Sequence, residues 1–169
     1  MSNPPRAELQ RFNVIPLSEA HAEQLSSWRY EPPFDFYNWT TWQVMLELGM
    51  EFGDPDIRTR QYAAVLDSDG DFIGFAQFFP LLGLTRLGLG LRPDLCDQGL
   101  GLSFVQAIVA EALRRAPDYE IDLEVHTWND RAILTYQRAG FIITDTYAKQ
   151  THTGLVDVYC MCYLPEGAQ

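Results

Sequence analysis

Apolar residues recur along this chain with two periods, and the switches between them mark its elements. "RFNVIPL", residues 11–17, alternates as a half-buried strand does, and Ser18 then stands at an N-cap before the helical "EAHAEQLSSW". Between Arg29 and Asn38 no regular helix is expected, because Pro32 and Pro33 remove donors and restrict the residues before them. "WTTWQVMLEL" resumes a helical pattern, and "RQYAAVLD" and "DFIGFAQFF" read as two strands joined through "SDG". "TRLGLGLRP" is a further strand, and Leu102, Val105, Ile108, Val109 and Ala112 then keep helical spacing up to Arg115, where Pro117 enforces a stop. "EIDLEVHTW" predicts a strand, and "NDRAILTYQRAG" a short helix ended by Gly140. "FIITDTYAKQ" and "LVDVYCMCY" predict a closing hairpin around "THTG". The order β, α, α, β, β, β, α, β, α, β, β predicts an α/β protein whose mixed sheet carries helices on both faces.

With 169 residues, 47% of them hydrophobic, the chain suffices for one domain, residues 1–169, in which 1–9 read as a loose lead-in. Its formal charge of −11 opposes general binding to nucleic acid, whose phosphates require a basic surface, and favours a cationic partner. Three cysteines do not make a disulfide framework, so a reducing compartment is expected. Neither a signal peptide nor a membrane-length apolar run is apparent, and the expected location is cytoplasmic, without membrane contact.

Candidate chemistry begins at "CDQGLGLSFVQ", residues 96–106, where Gly99 and Gly101 precede the long helix. A P-loop needs Lys and then Ser or Thr after its last glycine, and Leu102 and Ser103 stand there instead. A dinucleotide fingerprint lacks its third glycine here. What remains is the general chemistry of free N–H groups at a helix N-terminus, which attract an anion such as a pyrophosphate. One unit downstream, "NDRAILTYQRAGF" sets Asn129, Ala132, Tyr136, Gly140 and Phe141 at fixed offsets in a strand, helix, strand context.

Together these two motifs resemble the GNAT superfamily of acyl-CoA-dependent N-acyltransferases, over roughly residues 11 to 163 in element order. The resemblance implies a mostly antiparallel sheet of about seven strands, splayed between the fourth and fifth, and acetyl-CoA as co-substrate. It implies that main-chain groups of Leu89 and Leu91 bond the pantetheine arm and polarise the thioester carbonyl. The N–H groups of Asp97, Gln98, Gly99, Leu100, Gly101 and Leu102 would hold the pyrophosphate, Asn129 would bond the pantetheine, and Tyr136 would protonate the departing thiolate. The family usually has Arg or Gln at the position of Cys96, Gly at Asp97, and Arg or Lys at Gln98. This loop therefore lacks its usual positive charge, and weakened cofactor affinity is the expectation.

Direct transfer needs an uncharged amine, and something must take its proton. Asp122, Glu124 and His126 share one face of a strand by period-two alternation, which predicts a polar, water-lined cleft. The spacing from Glu124 to Tyr136 resembles that of ribosomal N-terminal acetyltransferases of the superfamily, which implies Glu124 as base through water, with His126 as the second candidate. "WRYEPPFDFYNWTTW" is dense in rings and acids, and Tyr30, Glu31, Phe34 and Asp35 are the expected acceptor pocket for a cationic substrate. No metal is expected. The reading is an N-acetyltransferase acting on a primary amine by direct attack in a ternary complex, as a monomer or a homodimer. Acetylation of protein N-termini and a non-catalytic acyl-CoA-binding module stay open as alternatives.

Overall fold

Residues 11–166 are described by a computed structural model, and the lead-in expected at residues 1 to 9 lies outside them. Seven strands follow in chain order: β1 (Asn13–Pro16), β2 (Tyr62–Leu66), β3 (Phe72–Leu81), β4 (Leu84–Leu91), β5 (Glu120–His126), β6 (Phe141–Thr151) and β7 (Gly154–Tyr163). They form one sheet in the order β1-β2-β3-β4-β5-β7-β6, antiparallel throughout except for the parallel pair β4 and β5. That pair is joined by the longest helix, α4 (Gly101–Arg115), as a parallel crossover requires.

The remaining helices are α1 (Glu19–Ser27), α2 (Trp42–Leu48), α3 (Pro55–Gln61) and α5 (Asp130–Arg138). Ser18 caps α1 as its position predicts, its hydroxyl accepting from the His21 N–H at 3.1 Å. Helix α3 departs from the expected pattern, since the strand read from Arg60 begins only at Tyr62. "PDIRTRQ" holds one apolar residue, Ile57, so no helical repeat reveals it. What makes it a helix is local chemistry: Pro55 opens it, and Asp54 accepts from the N–H groups of Asp56 and Ile57 at 2.8 and 3.1 Å.

Two apolar layers cover the sheet. On one face Phe104, Val105, Ile108 and Val109 of α4 pack against Ala63, Val65, Leu87, Leu123 and Val125. On the other, Ala22 and Leu25 of α1 and Met45 of α2 pack with Phe52, Tyr62, Ala64 and Phe72. Strand β2 is buried on both sides because alternate residues belong to different layers. The second layer ends near β3, which leaves the β4, β5, β7 and β6 part of that face to polar side chains. None of the described helices is long and apolar enough to cross a membrane.

The feature that positions the site is where β4 and β5 part. They pair only over Leu84–Leu87 and Glu120–Leu123. Beyond Leu87, β4 pairs with β3 alone, and beyond Leu123, β5 pairs with β7 alone. The splay expected between the fourth and fifth strands is therefore present.

Candidate active site

A cavity of about 470 Å³ occupies the splay. One end meets the start of α4, the middle is walled by Leu89, Val105, Val125 and Tyr136, and the far side meets the segment after α1.

Helix α4 begins with no side-chain cap, and Leu100 precedes it in helical conformation. Among the described residues, the N–H groups of 97 through 103 have no hydrogen-bond partner within the protein. Seven consecutive donors beside a cavity, four of them backed by the helix dipole, suit a multiply charged anion. The two glycines serve different ends. Gly99 has φ +77° and open space around it, so its conformation is what needs glycine. At Gly101 a Cβ would lie 3.1 Å from Thr135 Cγ2, so the close approach of α5 is what makes a side chain tight there.

The acid of this loop is answered from α5. Arg131 bonds Asp97 Oδ2 at 2.7 Å and lies 4.1 Å over the Phe34 ring, and Arg138 also lines the cavity. Asp97, held at φ 61°, is thus neutralised, and Gln98 folds back onto the Asp94 carbonyl at 2.7 Å. Arg131 and Arg138 are functional candidates that sequence reasoning missed. Arg131 stands in the first helical turn after Asn129, where only the docking of α5 on α4 reveals its target.

Arg92 N–H bonds Ile73 O at 2.8 Å, so by the alternation of an antiparallel ladder the main-chain groups of Leu89 and Leu91 turn away from β3 into the splay. The Leu91 carbonyl is already taken by the Tyr30 hydroxyl, which leaves the Leu91 N–H and both groups of Leu89 facing the cavity. Asn129 is buried and caps α5, its Oδ1 accepting from Ala132 N–H and its Nδ2 donating to Tyr37 Oη, both at 3.3 Å. Tyr136 packs on Phe141, and burial followed by the neighbouring Tyr37 raises its proton affinity well above that of an ordinary phenol.

The polar face of β5 is ion-paired. Asp122, 3% exposed, receives Arg86 Nε and Nη2 at 3.0 and 2.8 Å, and Cys160 Sγ lies 3.4 Å from its Oδ2. Together with Cys162 this brings three ligand-type atoms within 4.8 Å of one another, but Arg86 already supplies the carboxylate's cation. Glu124 lines the cavity, bonded by Lys149 Nζ at 2.8 Å and the Tyr147 hydroxyl, with Arg86 Nη1 at 3.5 Å. Burial alone would raise its pKa, but the bonds from Lys149 and Tyr147 and the charges of Lys149 and Arg86 outweigh that and hold it below the usual carboxylate range. His126 does not line the cavity. Its Nδ1 accepts from Trp128 Nε1 at 3.1 Å, which leaves the neutral ring's proton on Nε2, and burial followed by the Lys149 charge lowers its pKa.

The expected acceptor group divides. Tyr30 and Phe34 line the cavity, joined by Tyr37 and Phe75, whereas Glu31 and Asp35 are exposed and outside it. Phe36 stacks on His152 at 4.9 Å and meets His126 edge-on at 4.5 Å, which ties this segment to the tip of the β6–β7 hairpin.

Comparison with known proteins agrees with this geometry. The model of the acetyltransferase (GNAT) family matches residues 17–141. Among solved structures, the spermidine/spermine N-acetyltransferase SpeG from Vibrio cholerae is similar with a TM-score of 0.67 at 15% identity, over 90% of this chain and 92% of that one. The ribosomal-protein-S18-alanine N-acetyltransferase from Escherichia coli gives 0.63 at 19% identity, over 94% and 99%. A GNAT-family acetyltransferase from Bacillus anthracis gives 0.54 at 14%, over 62% and 66%.

Proposed function

Since the chain belongs to the acetyltransferase (GNAT) family, we propose that it is an acetyl-CoA-dependent N-acetyltransferase that acetylates a primary amine by direct attack in a ternary complex. The observation that carries this reading is the union in one cavity of unpartnered N–H donors before α4, main-chain groups freed by the splay, and the phenol of Tyr136. The donors of residues 97–102, with Arg131 and Arg138 beside them, suit the pyrophosphate. The Leu89 and Leu91 main chain suits the pantetheine amides, and an N–H there would polarise the thioester carbonyl.

In this reading the amine nitrogen attacks the thioester carbon, the tetrahedral species collapses with loss of the C–S bond, and Tyr136 donates to the departing sulfur. Its raised proton affinity keeps the phenol protonated at neutral pH, and the same burial favours the protonated sulfur. Glu124 receives, through water, the proton that the attacking nitrogen sheds as the amide forms. Because Lys149, Tyr147 and Arg86 keep it a weak base, it serves as a conduit to solvent, and the supply of free amine comes from the acceptor's own ionisation. His126 fits the base role less well, because Trp128 holds its only lone pair. Asn129 shapes the cavity wall as the α5 cap, with one amide N–H left for the pantetheine.

The test is calorimetric titration with acetyl-CoA beside an assay for free CoA in the presence of amines. Micromolar binding with amine-dependent release of CoA is expected, and Tyr136→Phe should lower kcat about 10²-fold or more while binding persists. Binding without turnover across a broad amine panel would favour an acyl-CoA-binding module instead.

A further inference from the structure

The chain carries a formal charge of −11, yet the cavity offers an incoming cation almost nothing. Its two acids are both answered. Glu124 is held by Lys149 and Arg86, and Asp97 by Arg131. Arg138 adds a further positive charge to the lining. The acids expected to greet a cation, Glu31 and Asp35, are exposed and do not line the cavity. The rest of the same cavity is walled in part by rings, Tyr30, Phe34, Tyr37 and Phe75. Phe75 closes over Gly90, where a Cβ would lie 2.8 Å from its Cε1, and Tyr30 is pinned to Leu91 by its hydroxyl. Tyr37 is fixed by Asn129, and Phe34 is braced between Trp128 at 5.6 Å and Arg131. These rings are held by their own hydrogen bonds and packing, so they present a preformed apolar surface.

From this distribution we infer that the acceptor is a monoamine with an apolar, planar body, and that polyamines are poor substrates. The inference rests on the N-acetyltransferase reading above and names the substrate class of that same site. A polyamine brings at least one further ammonium group, and burying it in a cavity whose acids are already paired leaves that charge uncompensated. A planar apolar body loses nothing there, because the ring wall replaces water with dispersion contacts. The inference sets this chain apart from the spermidine N-acetyltransferases it resembles in fold.

Purified protein tests this with acetyl-CoA and two probes, 2-phenylethylamine and spermidine. The expected kcat/KM for 2-phenylethylamine exceeds that for spermidine at least tenfold, and raising salt from about 50 to about 300 mM leaves its KM unchanged, since no unpaired acid attracts it. Phe34→Ala should raise KM for 2-phenylethylamine several-fold with little change in kcat. Preference for spermidine, with a KM that rises with salt, would overturn the inference while leaving the acetyltransferase reading intact. Acetyl-CoA binding without acetylation of 2-phenylethylamine would overturn it as well. Failure to bind acetyl-CoA in the calorimeter would instead remove the reading beneath it.

Discussion

Replacing Gly101 by alanine separates two reasons for a glycine at the start of α4. The new Cβ would lie 3.1 Å from Thr135 Cγ2 and 3.4 Å from Thr135 Oγ1, so α5 must yield by a few tenths of an ångström. Alanine gains up to about 1 kcal/mol of helix propensity over glycine, while overpacking costs about 1–3 kcal/mol. The expected net is a loss of about 1 kcal/mol. Thr135→Ser removes the nearer of the two atoms, so the double variant should recover most of that loss, a coupling of about 1 kcal/mol. Gly99→Ala, at φ +77° with nothing within 4 Å, should cost about 1–2 kcal/mol of backbone strain with no coupling to Thr135. Urea unfolding of the five proteins gives the stabilities, and calorimetry with acetyl-CoA gives the affinities. Gly101→Ala should bind within about threefold of the native chain, because its N–H keeps its place, whereas Gly99→Ala redirects donors and should weaken binding about tenfold. The reasoning fails if Gly101→Ala keeps full stability, shows no coupling to Thr135→Ser and loses acetyl-CoA binding, for then the ligand and not α5 would demand the glycine.

Three further outcomes follow from the site. Arg131→Gln should weaken acetyl-CoA binding about three- to tenfold at low ionic strength and by less at 0.5 M salt, and a salt-independent loss would deny the guanidinium its electrostatic part. Arg86→Leu strips a buried carboxylate of its bidentate partner and should destabilise by about 3–5 kcal/mol in urea, well beyond Asp122→Asn, and a loss under about 1 kcal/mol would contradict the burial argument. Glu124 has its folded pKa depressed, so its ion pairing adds stability above the unfolded carboxylate value of about 4.3 and loses it as pH falls through the folded value. The stability gap between native protein and Lys149→Met should therefore shrink on acidification, and unfolding curves at pH 7 and below pH 4 that show a constant gap would refute the pairing.

Much of the architecture was legible because its signals are local. Strand alternation, the Ser18 cap, the turn at "SDG", the apolar repeat of α4 and the stop at Pro117 each concern residues within a few positions of one another. The two motifs at Gly99–Gly101 and Asn129–Tyr136 were legible in the same way, and with them the family and its mixed sheet. Helix α3 escaped because seven polar-rich residues carry no periodic signal, although Asp54 and Pro55 announced its start.

What the chain order could not decide is which charges meet. Period two correctly sets Asp122, Glu124 and His126 on one face, but which partners that face meets depends on Arg86, Tyr147, Lys149 and Trp128 brought to it by the fold. Arg131 neutralises the acid of the "CDQ" loop only because α5 docks against the start of α4. Glu31 and Asp35 lie within five residues of Tyr30 and Phe34, yet the turn of the chain carries the rings into the cavity and leaves the acids in water. Periodicity settles which face a residue takes, because backbone geometry repeats over a few residues. Long-range packing settles which charges that face will meet, and that was left to the tertiary structure.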